Sequence, residues 1–104
     1  VNEECSMVRP EVSNVVSTVN LRCQINLDRL VQNGLNVEYN PGSLNAVKMK
    51  IWNPETTSLI FKSGKMICTG AKSELDCVIA ARKHARKIQK VGFNVEFSDF
   101  KIEN

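Results

Sequence analysis

The sequence predicts an α+β fold, an antiparallel sheet with its helices packed on one side. Three observations carry this. Residues 35–69 break into four consecutive strand-like stretches with period-two alternation. A single long helical pattern follows, late in the chain and bounded by Ser73 and Gly92. Strands lie before and after that helix instead of alternating with helices, which disfavours a parallel doubly wound sheet.

Taken in order, residues 1–10 are polar and end in Arg9-Pro10, a loose lead-in. Residues 12–22, VSNVVSTVNLR, are rich in Val and Thr and read as a strand. Asn26 caps a short helix over Leu27–Asn33, and Gly34 stops it. A short strand over 35–40 closes on the turn Asn40-Pro41-Gly42. Residues 45–52, NAVKMKIW, alternate as a strand and end at Asn53-Pro54-Glu55.

The stretch 56–74, TTSLIFKSGKMICTGAKSE, reads as a hairpin with a two-residue turn at Ser63-Gly64, then a helix start. One face of this hairpin carries Thr57, Leu59, Phe61, Ser63, Lys65, Ile67 and Thr69. The other carries Ser58, Ile60, Lys62, Met66 and Cys68. Both faces hold large apolar groups, whereas a half-buried hairpin ordinarily keeps one face polar. The side bearing Leu59, Phe61, Ile67 and Thr69 is therefore expected to remain open for a partner that is apolar in places and anionic at its edges.

In the long helix, Ser73 with Asp76 makes a capping-box-like start. Val78, Ala81, Ala85 and Ile88 share one face, with Leu75 and Val91 beside it. Arg82, Lys83, Arg86, Lys87 and Lys90 form a basic stripe. Residues 94–102 alternate again as a strand.

The 104 residues suffice for one core, not two. Net charge is +3, a weak argument for a polyanionic partner by itself. No apolar run reaches the ~18 residues of a membrane span, and no signal-peptide pattern opens the chain. Cys5, Cys23, Cys68 and Cys77 form no CxxC pair and no metal-type spacing, so they read as reduced thiols. His84, the sole histidine, reads as a packing residue. There is no glycine-rich phosphate loop, and the carboxylates are scattered. No enzyme activity and no cofactor are expected.

Several stretches resemble the TATA-box-binding protein family nearly residue for residue. They are VVSTVNLRC at 15–23, VEYNP at 37–41, SLIFKSGKMICTGAKSE at 58–74, AARKHARKIQKVGF at 80–93 and DFKIEN at 99–104. The resemblance covers the first of that family's two repeats and favours a TBP-related factor or a divergent member. It implies a half-saddle: a curved five-stranded sheet with a short and a long helix on the convex face, plus the first strand of the next repeat. The domain reading is accordingly a lead-in over 1–8, one repeat over 9–93 and the start of a second over 94–104.

The resemblance also implies minor-groove binding and bending of A·T-rich promoter DNA in the nucleus, nucleating transcription preinitiation complexes. The family is itself an example of binders that wedge apolar side chains into a base step. Carried over by position, Asn14 and Val16 face the groove at the saddle's centre. Thr57, Leu59, Phe61, Ser63, Ile67 and Thr69 face it from the hairpin, and Lys50 and Lys65 reach the backbone. Leu44 takes the place of a second wedging phenylalanine, with Ser43 where the family has Arg. Asn45 replaces a small alanine beside the wedge, and Lys48 an aliphatic residue. These departures bear on strict consensus-TATA preference more than on minor-groove binding.

The chemistry fits. Minor-groove edges offer mainly acceptors, to which Asn and Thr donate. The long helix lies on the family's convex side. There Arg82, Lys83, Arg86 and Lys90 would dock acidic general transcription factors or negative regulators, the alternative role with weak DNA binding. A lone repeat would leave the first strand as an open edge, so a two-fold homodimer is expected unless residues 95–104 cover it.

Overall fold

In a computed structural model, residues 14–33, 37–39 and 45–103 are described. Their order is β1 (Val15–Asn20), α1 (Leu27–Asn33), β2 (Val37–Tyr39), β3 (Ala46–Ile51), β4 (Thr56–Phe61), β5 (Lys65–Ala71), α2 (Glu74–Val91) and β6 (Ser98–Ile102). All six strands join one antiparallel sheet in the order β2-β3-β4-β5-β1-β6. This is the α+β half-saddle, five strands plus one. The helix stop at Gly34, the turn Asn40-Pro41-Gly42 and the wedge position Ser43-Leu44 fall outside the described residues.

Alternation decides which side of each strand is covered. In β1 the buried residues are Val15, Ser17 and Val19, and in β4 they are Thr56, Ser58 and Ile60. Val47, Met49 and Ile51 from β3 and Met66 and Cys68 from β5 join them. Their apolar members other than Val15 join Leu21, Ile25, Leu30, Ala80, Ala81 and Ile88 in the main core beneath the helices, while Val15 packs with Ala71 and Cys77 in a smaller cluster. At roughly 1.5–3 kcal/mol for each fully buried large aliphatic side chain, this layer dominates the stability.

The hairpin keeps the expected faces but turns through three residues, Lys62–Gly64, not two. Gly64 N–H donates to Phe61 O at 2.9 Å, and Gly64 has φ +99°. That backbone suits glycine, and a Cβ there would meet the Cys23 carbonyl at 2.3 Å. The close approach lets the segment after β1 bond the hairpin end, Leu21 N–H to Gly64 O and Ile25 N–H to Lys62 O, both 2.9 Å.

Asn26 caps α1 as expected, its Oδ1 accepting from Arg29 N at 3.1 Å. Ser73 caps α2, accepting from Asp76 N at 3.0 Å, and Gly92 ends it at φ +121°. The buried face of α2 differs from the sequence expectation. Cys77, Ala80, Ala81, His84, Ala85 and Ile88 face the sheet, while Leu75 is 69% exposed. Small residues let the helix lie close to the strands. His84 takes the packing role read for it from sequence, held in the layer by hydrogen bonds.

His84 Nε2 lies 3.0 Å from Thr56 Oγ1, and Nδ1 lies 2.9 Å from Ser58 Oγ. The Thr56 hydroxyl donates onward to Pro54 O at 3.4 Å. A neutral ring with its proton on Nε2 satisfies every partner: Nε2–H donates to Thr56, and Ser58 donates to Nδ1.

β1 is not open, because β6 pairs with it through Ser17↔Ile102 and Thr18↔Lys101. This is the alternative in which residues 95–104 cover the edge within the chain.

Burial, and then Lys87 nearby, lowers the His84 pKa to about 4. Between about pH 6.5 and 4 the unfolded chain binds a proton that the native ring does not. Stability is therefore fully present above that window and falls as pH drops through it, by at most about 1.4 kcal/mol per pH unit. We expect denaturation midpoints to fall on acidification across this range. His84→Gln should be less stable at neutral pH by about 1–2 kcal/mol. Its gap to the wild type should narrow toward pH 4, and parallel profiles would contradict this account.

Candidate nucleic-acid interface

The strand residues that do not face the helices form one continuous surface. Register arranges them in rows across the sheet. One row runs Glu38, Lys48, Leu59, Ile67, Thr18, Lys101 from β2 to β6. The next runs Lys50, Thr57, Thr69. In the third, Phe61 stands opposite Ala46, and Lys65 opposite Asn20. Neighbouring strands sit ~4.8 Å apart, so each row is a ladder of touching side chains.

Thr57, Leu59, Phe61, Ile67 and Thr69 are half-buried by one another and covered by no helix. Val16 and Thr18 extend this strip on β1. Large apolar side chains run along its middle, hydroxyls flank them, and lysines stand at the margins. Phe61 has small Ala46 as its cross-strand neighbour, which leaves room around its ring.

Asn14 Oδ1 accepts from Gly70 N–H at 2.9 Å. This fixes the carboxamide between β1 and β5 and leaves its NH2 group free to donate outward. Thr69 Oγ1 donates to Thr57 O at 3.4 Å, tying the two hydroxyl positions together. Ser63 is exposed in the turn, where it lines a small cleft with Thr18, Asn20, Lys65 and Asp99.

Asn45 lies apart from the strip. It shares strand parity with Val47 and Met49 and lines a helix-side cleft with Gln24, Asn26 and Lys62. Leu44, the second wedge position, is outside the described residues. Thr18 and Asn20 belong to the surface but were not singled out from sequence. Their alternation with Val16 in VVSTVN is the signal that finds them.

Carboxylates shadow several cations. Lys48 lies 3.9 Å from Glu38, Lys50 3.6 Å from Glu55 and Arg22 3.0 Å from Asp99. All are exposed pairs, worth ~0–1 kcal/mol each and readily exchanged for another anion. Two of the groups that burial shifts lie on the opposite side: His84, and Cys68 with its thiol pushed up to about 12. Among the described residues no cluster of His, Cys, Asp or Glu could hold a metal ion, and no helix is long and apolar enough to cross a membrane.

Residues 9–91 match the family model described as "Transcription factor TFIID (or TATA-binding protein, TBP)". The chain belongs to the TATA-binding protein family. The TBP family is one of transcription factors, not enzymes. The chain is 57% identical over 95 residues to the TATA-box-binding protein of Spodoptera frugiperda, covering 91% of this chain and 31% of that protein. It is 54% identical over 101 residues to TATA box-binding protein-like 2 of Rattus norvegicus, covering 97% of this chain and 29% of the other. Among solved structures, Methanococcus jannaschii TBP superposes with a TM-score of 0.72 at 30% identity, over 86% of this chain and 51% of that one. The chain thus spans about a third of the length of these sequence relatives.

Asn14→Asp should separate folding from binding. Aspartate keeps the acceptor for Gly70 N–H but loses both outward donors and adds a negative charge. Thermal unfolding should change by under ~1 kcal/mol, while affinity for A·T-rich duplex should drop at least about tenfold. Unchanged affinity would remove Asn14 from the interface.

Proposed function

We propose that the open face lies in the minor groove of A·T-rich promoter DNA and bends it, nucleating transcription complexes in the nucleus. One observation carries this reading: Val16, Thr18, Thr57, Leu59, Phe61, Ile67 and Thr69 form an uncovered apolar and hydroxyl strip on a sheet whose other side is fully packed. The Spodoptera relative is named as a TATA-box-binding protein, which supports it.

Leu59 and Ile67 would pack where a guanine amino group intrudes, and the hydroxyls and Asn14 would donate to the acceptors of either A·T orientation. Phe61 is the wedge. Unstacking a base step costs a few kcal/mol, offset by the surface a bent duplex brings into contact. Leu44 would be a second, weaker wedge. Lys48, Lys50, Lys65 and Lys101 stand where phosphates would pass.

In this reading residues 9–93 are one repeat and residues 94–104 open a second, with β6 as its first strand. A two-fold pair of single lobes would then meet at β6, not β1.

A second reading rests on α2. Arg82 is engaged within the fold, its guanidinium 4.8 Å from the Phe97 ring centroid, and the Lys83 ammonium donates to Asn53 O. Arg86, Lys87 and Lys90 take part in none of the ion pairs among the described residues. They are available to an acidic protein partner, the role expected if DNA binding is weak.

A salt titration on A·T-rich duplex tests the first reading. With up to four lysines at phosphates, log K against log salt should have a slope no steeper than about −4. Phe61→Ala should lower affinity at every salt concentration without changing that slope. Lys65→Ala should reduce the slope by about one. No binding at low salt, or binding indifferent to Phe61→Ala, would refute it.

A further inference from the structure

A separate cleft opens where the end of β3 meets the C-terminal half of α2. Lys50 and Trp52 line it from the strand side, and Lys83, Arg86, Lys87 and Lys90 from the helix, around about 370 Å³. Trp52 is the only tryptophan in the chain and is 55% exposed. It belongs neither to the core nor to the strip around Phe61.

Two of the cations are already placed. The Lys50 ammonium lies 5.9 Å from the Trp52 ring centroid and 3.6 Å from Glu55, and Lys83 is tied to the Asn53 carbonyl. The cleft therefore joins an aromatic wall to Arg86, Lys87 and Lys90, which span about one helical turn and form no ion pair among the described residues.

The geometry points to this cleft as the binding site for an acidic peptide segment. The segment would seat one aromatic or aliphatic side chain against Trp52 and set its flanking carboxylates on Arg86, Lys87 and Lys90. This deepens the second reading, that α2 docks a protein, and does not depend on the first.

Three features favour that occupant. At about 370 Å³ the cleft is the size of one or two side chains, too little for a duplex. Single-stranded nucleic acid is held by successive aromatic platforms, and Trp52 stands alone here. A buried apolar anchor with a charged rim is how interfaces concentrate their binding free energy and reject wrong partners.

The lone tryptophan makes the test direct. The probe is a labelled synthetic peptide of alternating Asp and Glu around one Phe, titrated into the full chain. Binding should shift Trp52 emission to the blue. Trp52→Ala, and separately Lys87→Glu with Lys90→Glu, should each weaken peptide anisotropy binding at least about tenfold. Affinity for A·T-rich duplex should stay unchanged for Trp52→Ala, which alters no charge and lies on the surface outside the strip.

Equal affinity for the peptide with Phe replaced by Ala would overturn the proposal. So would an unshifted emission, or oligo(dT) binding the cleft more tightly than the peptide. If the charge reversals matter but Trp52→Ala does not, the cleft proposal fails while docking on α2 stands. If the peptide does not bind at all, both fail.

Discussion

Everything in this fold depends on a six-stranded sheet being covered on one side only. Side chains alternate along each strand, so the residues that satisfy the core determine which residues remain outside. Slipping β4 by one position would send Ser58 and Ile60 outward and bring Thr57, Leu59 and Phe61 under the helices. The same slip in β3 would drive Lys48 and Lys50 into an apolar layer, at several kcal/mol for each unpaired charge. The packing of Ile60, Met66 and Met49 thus fixes the register of the open strip, and with it the placing of Phe61 opposite Ala46.

The covered side has its own constraint, which is closeness. Ser17, Cys68 and Ser58 are register partners across β1, β5 and β4, and all three are buried. This lane of small side chains lies beneath Cys77, Ala80, Ala81 and Ala85 of α2. Small against small brings helix and sheet together, and His84 reaches through the remaining gap to the hydroxyls of Thr56 and Ser58. Satisfying both ring nitrogens avoids the ~1–3 kcal/mol cost of a buried unpaired polar group. The imidazole fixes the rotation of α2 and hence the side of the helix that shows its cations to solvent.

Local signals were legible in the sequence wherever they were strong. Asn26 and Ser73 cap where their residue types and spacing say, and the hairpin faces follow from alternation between Thr56 and Ala71. What escaped was settled by long-range geometry. Cys77 and His84 are buried as their sequence positions suggest, but Leu75, read as flanking the apolar face, is 69% exposed because the helix starts beyond the edge of the packed layer. Asn45 adjoins the wedge position in sequence, but strand parity turns it toward the helix side. The basic stripe of α2 looked uniform, yet Arg82 and Lys83 are engaged with Phe97 and Asn53, contacts that no helical periodicity encodes. By contrast, the pairing of β6 with β1 across some eighty residues of chain has no local cue, and the sequence left it as one of two outcomes for that edge.

The balance of charge and apolar contact on the open face follows from magnitudes. Net charge is only +3, and Lys48 and Lys50 each stand within 4.0 Å of a carboxylate. Exposed pairs of this kind contribute under ~1 kcal/mol and are weakened further by salt. An aromatic ring such as Phe61, by contrast, buries on the order of 150–250 Å² in all, and covering the part its neighbours leave exposed is worth roughly 2–3 kcal/mol. Leu59 and Ile67 beside it act in the same sense. Charge on this face can steer a polyanion and add a salt-dependent increment, but shape and apolar area dominate what the face can hold. In the proposed groove-bound reading, the identity of the wedge side chains therefore weighs more than the count of lysines in how strongly the lobe would engage DNA.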